Sequence, residues 1–302
     1  MTPLIAVVGP TASGKTGLAV RIAQQWGAEI VGVDASQVYR GMDIGTGKAT
    51  ADELLGVPHH LLDVAHPHDA FDAQRFVTLA DAAIAEIRAR GQRVVLCGGT
   101  GLYLRALLEG LSEIPPVAPE VTRALRARID AGEVEALHAE LGQVDPAAAA
   151  RIAPRDKQRI ERALSVARST GRSLTEWHAM GAAQGPRHTA KLLGLAWQRE
   201  ALDARIEARV RQMFTRGLID EVRGLLKSGL EPSARSLKAL GYAQSVAHLE
   251  GRCSIDEAMA ETVLRSRQYA RRQETWFKAL PVTWWAPPVA DADIAAYLAA
   301  LP

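Results

Sequence analysis

The stretch GPTASGKT, Gly9–Thr16, constrains the fold of this chain more than any other. It completes the pattern G-x-x-x-x-G-K-[ST] with Gly9, Gly14, Lys15 and Thr16. The apolar run LIAVV (4–8) feeds it, and Leu18, Ala19, Ile22 and Ala23 leave it at helical spacing. In that strand–loop–helix setting the backbone N–H groups of the loop wrap phosphate oxygens at a helix N-terminus, where the helix dipole also favours negative charge. We therefore expect Gly9, Pro10, Thr11, Ala12, Ser13, Gly14, Lys15 and Thr16 to hold a diphosphate or the phosphates of a nucleotide, ATP being the ligand such a loop first suggests. Lys15 would neutralise the terminal phosphate and Thr16 would ligate Mg²⁺. The motif reports a polyphosphate and is silent on whether a phosphoryl group moves.

Residues 1 to about 112 continue the alternation. EIVGVD (29–34) and RVVLCGG (93–99) read as buried strands, and between them Phe76, Leu79, Ala80, Ala83, Ile84 and Ile87 share one helical face. This is the rhythm of a parallel sheet covered by helices. It stops at the Pro-rich SEIPPVAP (112–119), after which the chain is almost wholly helix-forming until KLLGLAW (191–197). That run reads as one more buried strand, returning to the first sheet. The expected fold class is α/β: a P-loop NTPase-like core with a parallel β-sheet flanked by helices, plus a mostly helical insertion domain. The core takes residues 1–112 and 191–302, and the insertion 113–190. Beyond Arg199 the pattern is helical, with breaks at Gly229, Gly241 and Gly251, and LPVTWWAPP (280–288) closing the last long helix.

Composition removes several classes. Among 302 residues there are two cysteines, Cys97 and Cys253, too few for a disulfide framework or a Cys-rich zinc site. No apolar run approaches the length of a membrane span and no secretory leader is recognisable, so a cytoplasmic protein without membrane contact is expected. The net charge of +2 conceals two local runs. Arg151–Arg172 holds seven basic residues against two acids, and Thr262–Lys278 five against one. Such runs are either solvated helix faces or binding surfaces.

Two further features belong at the carboxyl ends of the strands, where open α/β sheets bind ligands. Asp34 ends EIVGVD; its carboxylate could cap a turn, reach a metal through water, or act as a general base. GGTGLY (98–103) follows RVVLC where an NTPase often carries a carboxylate for the metal or the attacking water. Glycines and Thr100 stand there instead. That argues against ATP hydrolysis and suits backbone that must approach a ligand closely, or simply a tight turn.

Taken together, GPTASGKT, DASQVYRGMDIGTGK, GGTGLY, KALGY and RSRQYARRQETW resemble the tRNA dimethylallyltransferases, also called tRNA isopentenyltransferases or IPP transferases, of bacterial type. The five strings occur in order from residue 9 to 276. The resemblance implies transfer of a dimethylallyl group from dimethylallyl diphosphate to the N6 amine of the adenosine immediately 3′ to the anticodon, with diphosphate as the leaving group and Mg²⁺ as cofactor. It implies Asp34 as the base, and Lys15, Thr16, Thr100 and Arg209, the last within LDARIEARVRQMF, around the leaving group. For the tRNA anticodon stem-loop it implies contacts from Asp34, Ala35, Ser36, Gln37 and Thr100. In the insertion these are joined by Thr122 and by Gln158, Arg159, Ile160, Glu161 and Arg162 of KQRIER. Near the C-terminal end they are joined by Arg267, Gln268, Arg271 and Arg272. Gln37 could offer both a donor and an acceptor to an adenine edge. Tyr269 and Trp276 are expected to pack their helix into the core. A monomer is expected, since one tRNA must be gripped by both domains.

Three positions depart from the family pattern. Thr122 stands where relatives often carry an arginine that meets tRNA, with Arg123 and Arg126 as substitutes. Ser266 replaces a usual threonine, and GTGK (45–48) replaces the commoner G-T-A-K. Two cysteines cannot build the zinc finger of the eukaryotic relatives. Three other readings stay open on the residues: a small-molecule P-loop kinase, a prenyltransferase of free adenine nucleotides, and a non-catalytic, ATP-regulated RNA-binding protein.

Overall fold

In the computed structural model, which describes residues 3–182 and 185–301, the first strand is β1 (Leu4–Val8), with all five residues buried. The P-loop connects it to α1 (Lys15–Trp26). Then follow β2 (Ala28–Gly32), the one-turn α2 (Ala51–Leu54), the two-residue β3 (His59–His60), α3 (Ala73–Ala89), β4 (Arg93–Gly98) and α4 (Gly101–Glu109). A strand buried along its length must be covered on both faces, as in a parallel sheet wrapped by helices. Asp72 starts α3 by accepting the Arg75 N–H at 2.9 Å, a cap that satisfies one of the helix's free donors.

Five helices follow: α5 (Pro119–Asp130), α6 (Val134–Val144), α7 (Pro146–Ala149), α8 (Lys157–Thr170) and α9 (Leu174–Ala182). Leu125, Leu137, Leu141, Ile160, Ala163 and Leu164 from α5, α6 and α8 form a core of their own. Asp145 is buried, yet both its oxygens are satisfied, by the N–H groups of Ala148 and Thr175 at 3.0 Å each. The chain separates into two compact units, one running to Leu108 and resuming at His188, the other spanning Glu109–Arg187.

The chain re-enters the sheet at β5 (Ala190–Leu195), parallel to β1 with Val7 opposite Leu193. Next come α10 (Arg199–Thr215), α11 (Leu218–Lys227), α12 (Tyr242–Leu249) and the long α13 (Ile255–Lys278). Gly229, Gly241 and Gly251 lie at the ends of α11 and α12 with φ of 92°, 85° and 72°, a region that glycine enters at no steric cost. LPVTWWAPP was expected only to close the last helix, and here the structure differs. Val282–Trp285 forms a sixth strand, β6, parallel to β5 with Thr283 opposite Leu193, and α14 (Asp291–Ala299) follows.

The sheet order is β3-β2-β4-β1-β5-β6, and every pairing is parallel. Ile5, Val7, Ile22, Ile30, Val95, Leu193 and Ile294 pack in one cluster between sheet, α1 and α14. Each such side chain contributes roughly 1.5–3 kcal/mol. The result is a rigid platform whose carboxyl edge carries the loops after β1, β2 and β4.

Candidate active site

The P-loop is shaped by three positive φ values, at Gly9 (145°), Ala12 (62°) and Gly14 (89°). Its carbonyls are held from outside: the Trp197 indole donates to Ser13 O at 2.8 Å, and Arg205 Nε donates to Ala12 O at 2.9 Å. The Arg205 guanidinium stacks on the Trp197 ring, 4.4 Å from its centroid. The first N–H groups of α1 have no intrahelical acceptor, which is what anion binding at a helix N-terminus uses. The Ser13 hydroxyl is 1% exposed at the residue level and has no hydrogen-bond partner among the described residues. Lys15 Nζ donates to Pro10 O at 3.2 Å. Burial holds the Lys15 ammonium below its ordinary pKa, with the Arg209 guanidinium pushing the same way.

Asp34 follows β2 by two residues. Its Oδ1 accepts the N–H groups of Ser36 and Gln37 at 2.8 and 3.3 Å, while Oδ2 has no hydrogen bond to the described residues. The carboxylate therefore caps the turn through one oxygen and leaves the other unengaged by the described residues. Thr100 donates its N–H to Val33 O at 3.2 Å and accepts the Ala35 N–H on Oγ1 at 3.0 Å. It therefore ties the loop after β4 to the residue beside Asp34.

The glycines of GGTGLY have a reason the sequence did not disclose. A Cβ at Gly98 would collide with the Val33 carbonyl, at Gly99 with the Gln273 amide, and at Gly101 with the Trp276 indole. Close approaches of the protein to itself thus require these glycines. Burial of Cys97 just before them pushes its thiol up to about 11, so it stays protonated at physiological pH.

The loop after Asp34 presents its carbonyls to the same space. Glu221 accepts the N–H groups of Asp43 and Ile44 at 2.9 and 2.8 Å, with the Tyr242 hydroxyl donating to it at 2.6 Å. The opposite side of the loop offers Thr46 O and Gly47 O to Gln37 Nε2 at 3.2 and 3.3 Å, and Thr46 O to Arg209 Nη2 at 3.4 Å. Gly47, with φ of 59°, leaves room for the Arg209 guanidinium where a Cβ would clash.

Thr11, Ala12, Lys15, Thr16, Asp34, Ser36, Gln37 and Arg209 thus share one cavity of about 380 Å³. Ile206, Val210, Met213 and Leu240 supply an apolar wall, and Tyr269 and Arg272 another side. Lys15, Thr16, Gly47 and Arg209 also line a more open cleft of about 660 Å³. Thr100 is half-buried and is not among the residues that line this cavity. Phosphate cradle, free carboxylate oxygen and apolar surface are therefore adjacent.

The model of the family described as IPP transferase matches residues 37–280. The chain belongs to this family. A tRNA dimethylallyltransferase of Anaeromyxobacter dehalogenans (strain 2CP-C) is 50% identical over 288 residues, 94% of this chain and 95% of the relative. One from Sorangium cellulosum (strain So ce56) is 47% identical over 285 residues, 94% of this chain and 90% of the relative. Among solved structures, the full-length tRNA isopentenylpyrophosphate transferase of Bacillus halodurans superposes with a TM-score of 0.72 at 37% identity, covering 99% of this chain and 95% of that one.

For an IPP transferase, the residues expected to meet tRNA fall into unlike groups. On α8, Gln158, Arg159 and Arg162 are exposed and Glu161 is half-buried, paired with Arg126 at 3.2 Å. Ile160 is 0% exposed. It belongs to the helical unit's core, which corrects its place among the expected contacts. Thr122 is half-buried on α5, with Arg123 and Arg126 exposed nearby on that helix. On α13, Arg271 and Arg272 are exposed, and Gln268 is half-buried. Arg267 instead pairs with Glu207 of α10 at 3.0 Å, so its charge is already matched within the protein. Tyr269 was expected in the core but lines the cavity, with Arg272 5.9 Å from its ring centroid and its phenol pushed by burial up to about 12. Trp276 packs on the GGTGLY turn, through Gly101. Gln273 and Glu221 went unnoticed in the sequence, because each acts on segments far from it along the chain.

Proposed function

We propose that this chain transfers a dimethylallyl group from dimethylallyl diphosphate to the exocyclic N6 amine of the adenosine immediately 3′ to the anticodon in tRNA, releasing diphosphate. One observation carries the reading: a phosphate cradle and a carboxylate with one free oxygen face the same partly apolar cavity. A P-loop kinase is disfavoured by Gly98 at the end of β4, with Gly99 and Thr100 after it, standing in place of a carboxylate.

The adenine amine is a weak nucleophile because its lone pair is delocalised into the ring. As N6 attacks C1 of the allylic group, Asp34 Oδ2 takes one N6 proton while Oδ1 stays anchored, which holds the base in line. The C1–O bond breaks and its electron pair leaves with the diphosphate. Lys15, Arg209 and the P-loop N–H groups receive the growing negative charge from fixed positions. The apolar wall of Ile206, Val210, Met213 and Leu240 accommodates the hydrocarbon and keeps water from the developing allylic cation. Gln37, whose Nε2 donates to Thr46 O and Gly47 O, has its Oε1 left to accept from the adenine edge once the nucleotide has been turned out of its stack. Thr100 supports this geometry by fixing the backbone beside Asp34.

Thr16, which lines the cavity beside Lys15, offers a hydroxyl donor that fits a site for Mg²⁺, an ion usually completed by substrate phosphates and water. When bound, it supplies charge stabilisation to the leaving diphosphate.

Exposed arginines on α8 and α13 would hold the tRNA backbone, chiefly through phosphates. No helix among the described residues is long and apolar enough to cross a membrane, and we place the enzyme in the cytoplasm as a monomer. The test is direct: labelled dimethylallyl diphosphate and Mg²⁺ are incubated with unmodified tRNA, or with free AMP. Label is expected in tRNA. Absence of label there contradicts the proposal, and label in AMP alone favours a free-nucleotide prenyltransferase.

A further inference from the structure

We infer that Gln273 is a positioning residue that sets the spacing between the diphosphate cradle and the Asp34 side of the cavity; this rests on the function proposed above. Its side chain comes from the C-terminal part of α13 and is only 6% exposed. The amide oxygen accepts the Thr11 N–H of the P-loop at 2.8 Å, and the amide nitrogen donates to Gly99 O at 2.9 Å. One amide thus joins two loops that leave adjacent strands, β1 and β4. Thr11 precedes Ala12 and Ser13 of the cradle. Gly99 precedes Thr100, whose hydroxyl accepts the Ala35 N–H next to Asp34 at 3.0 Å.

Both ends of the amide are required. A carboxylate could accept from Thr11 but could not donate to Gly99 O, and an apolar side chain could do neither. Gly99 is glycine because a Cβ there would occupy the position of the Gln273 amide. Elsewhere α13 is anchored without this residue, through buried Ala258, Thr262, Ala270 and Phe277. Gln273 adds to this anchoring a direct side-chain link between the two halves of the reaction geometry. The exposed Arg271 and Arg272 precede it on the same helix, so a phosphate backbone seated on them bears on the segment that holds the cradle.

The experiment uses the full-length protein with Gln273→Met, which keeps the length and removes both polar ends, and Gln273→Glu, which keeps the shape. Gln273→Met is expected to raise the KM for dimethylallyl diphosphate and the Kd for inorganic diphosphate by about 10-fold, and to slow single-turnover transfer by about 10-fold or more. The Kd for tRNA should stay within about twofold of wild type. Gln273→Glu should approach wild-type transfer at low pH, where the protonated carboxyl again donates to Gly99 O. It should fall behind as pH rises and the carboxyl ionises. Unchanged donor KM and transfer rate in Gln273→Met, an equal loss of tRNA affinity, or a pH-independent deficit in Gln273→Glu overturns the inference. If Gln273→Met does not fold, the isosteric Gln273→Glu profile decides alone. Failure of the wild type to transfer label to tRNA defeats the proposed function instead, while the inorganic diphosphate Kd still reads the role of Gln273.

Discussion

Two regions carry most of the charged chemistry, and they hold it in opposite ways. In the cavity at the end of the sheet, Lys15, Asp34 and Arg209 are half-buried and each has at least one fixed hydrogen bond. On α8, Arg159 and Arg162 stand exposed around a helix whose inner face, Ile160, Ala163 and Leu164, builds a small separate core. The first arrangement loses solvent screening and gains direction, so it suits charge that develops at one point. The second keeps its charges hydrated and mobile, which suits a phosphate backbone, where affinity comes from counterion release. Helix α13 belongs to both: Arg271 and Arg272 are exposed, and Gln273 is buried among the loops of the cavity.

Substitutions should separate these regimes. Asp34→Ala is expected to reduce the single-turnover rate by roughly 10²- to 10⁴-fold with little change in tRNA Kd; a collapse of binding would instead make Asp34 a recognition residue. Lys15→Met should weaken donor binding by about 10- to 100-fold, the range of a charge-assisted hydrogen bond. Its pH dependence has a definite sign. The folded-state pKa lies below the ordinary 10.5, so the ammonium is lost as pH rises through the lowered value. Donor affinity should therefore fall at a pH below that of an ordinary lysine, and this step should be absent in Lys15→Met. By the same linkage the free protein gains stability from Lys15 as pH rises from the lowered pKa toward 10.5.

Smaller effects are expected at the exposed charges. Arg271→Ala with Arg272→Ala should raise the tRNA Kd, reduce the slope of log Kd against log salt by about one per lost phosphate contact, and also lower kcat, since Arg272 lines the cavity. Arg159→Ala with Arg162→Ala should reproduce the salt effect alone, leaving kcat at saturating tRNA unchanged. Equal kcat losses in both pairs would erase the distinction between α8 and α13.

What the sequence disclosed and what it withheld follow the same division. Local patterns were legible: GPTASGKT between a strand and a helix, KLLGLAW as a returning strand, and the glycine breaks at 229, 241 and 251. Pairings across long stretches of chain were not. Nothing near Gly99 announces that Gln273, 174 residues later, needs its missing Cβ. Arg267 reads as a free cation until the fold brings Glu207 to it. Ile160 sits within KQRIER, where helical spacing alone could have marked it as core. VTWW was a plain β-prone run hidden behind the prolines that follow it.

The central claim is that the P-loop holds a leaving group, with cleavage between carbon and oxygen. It can be read from a donor carrying ¹⁸O in the bridging position between C1 and phosphorus. Carbon–oxygen cleavage sends all of the label into the released diphosphate, which is the expected result. Label retained on the dimethylallyl product, as an alcohol, would mean that the phosphorus–oxygen bond had broken, and would contradict the account.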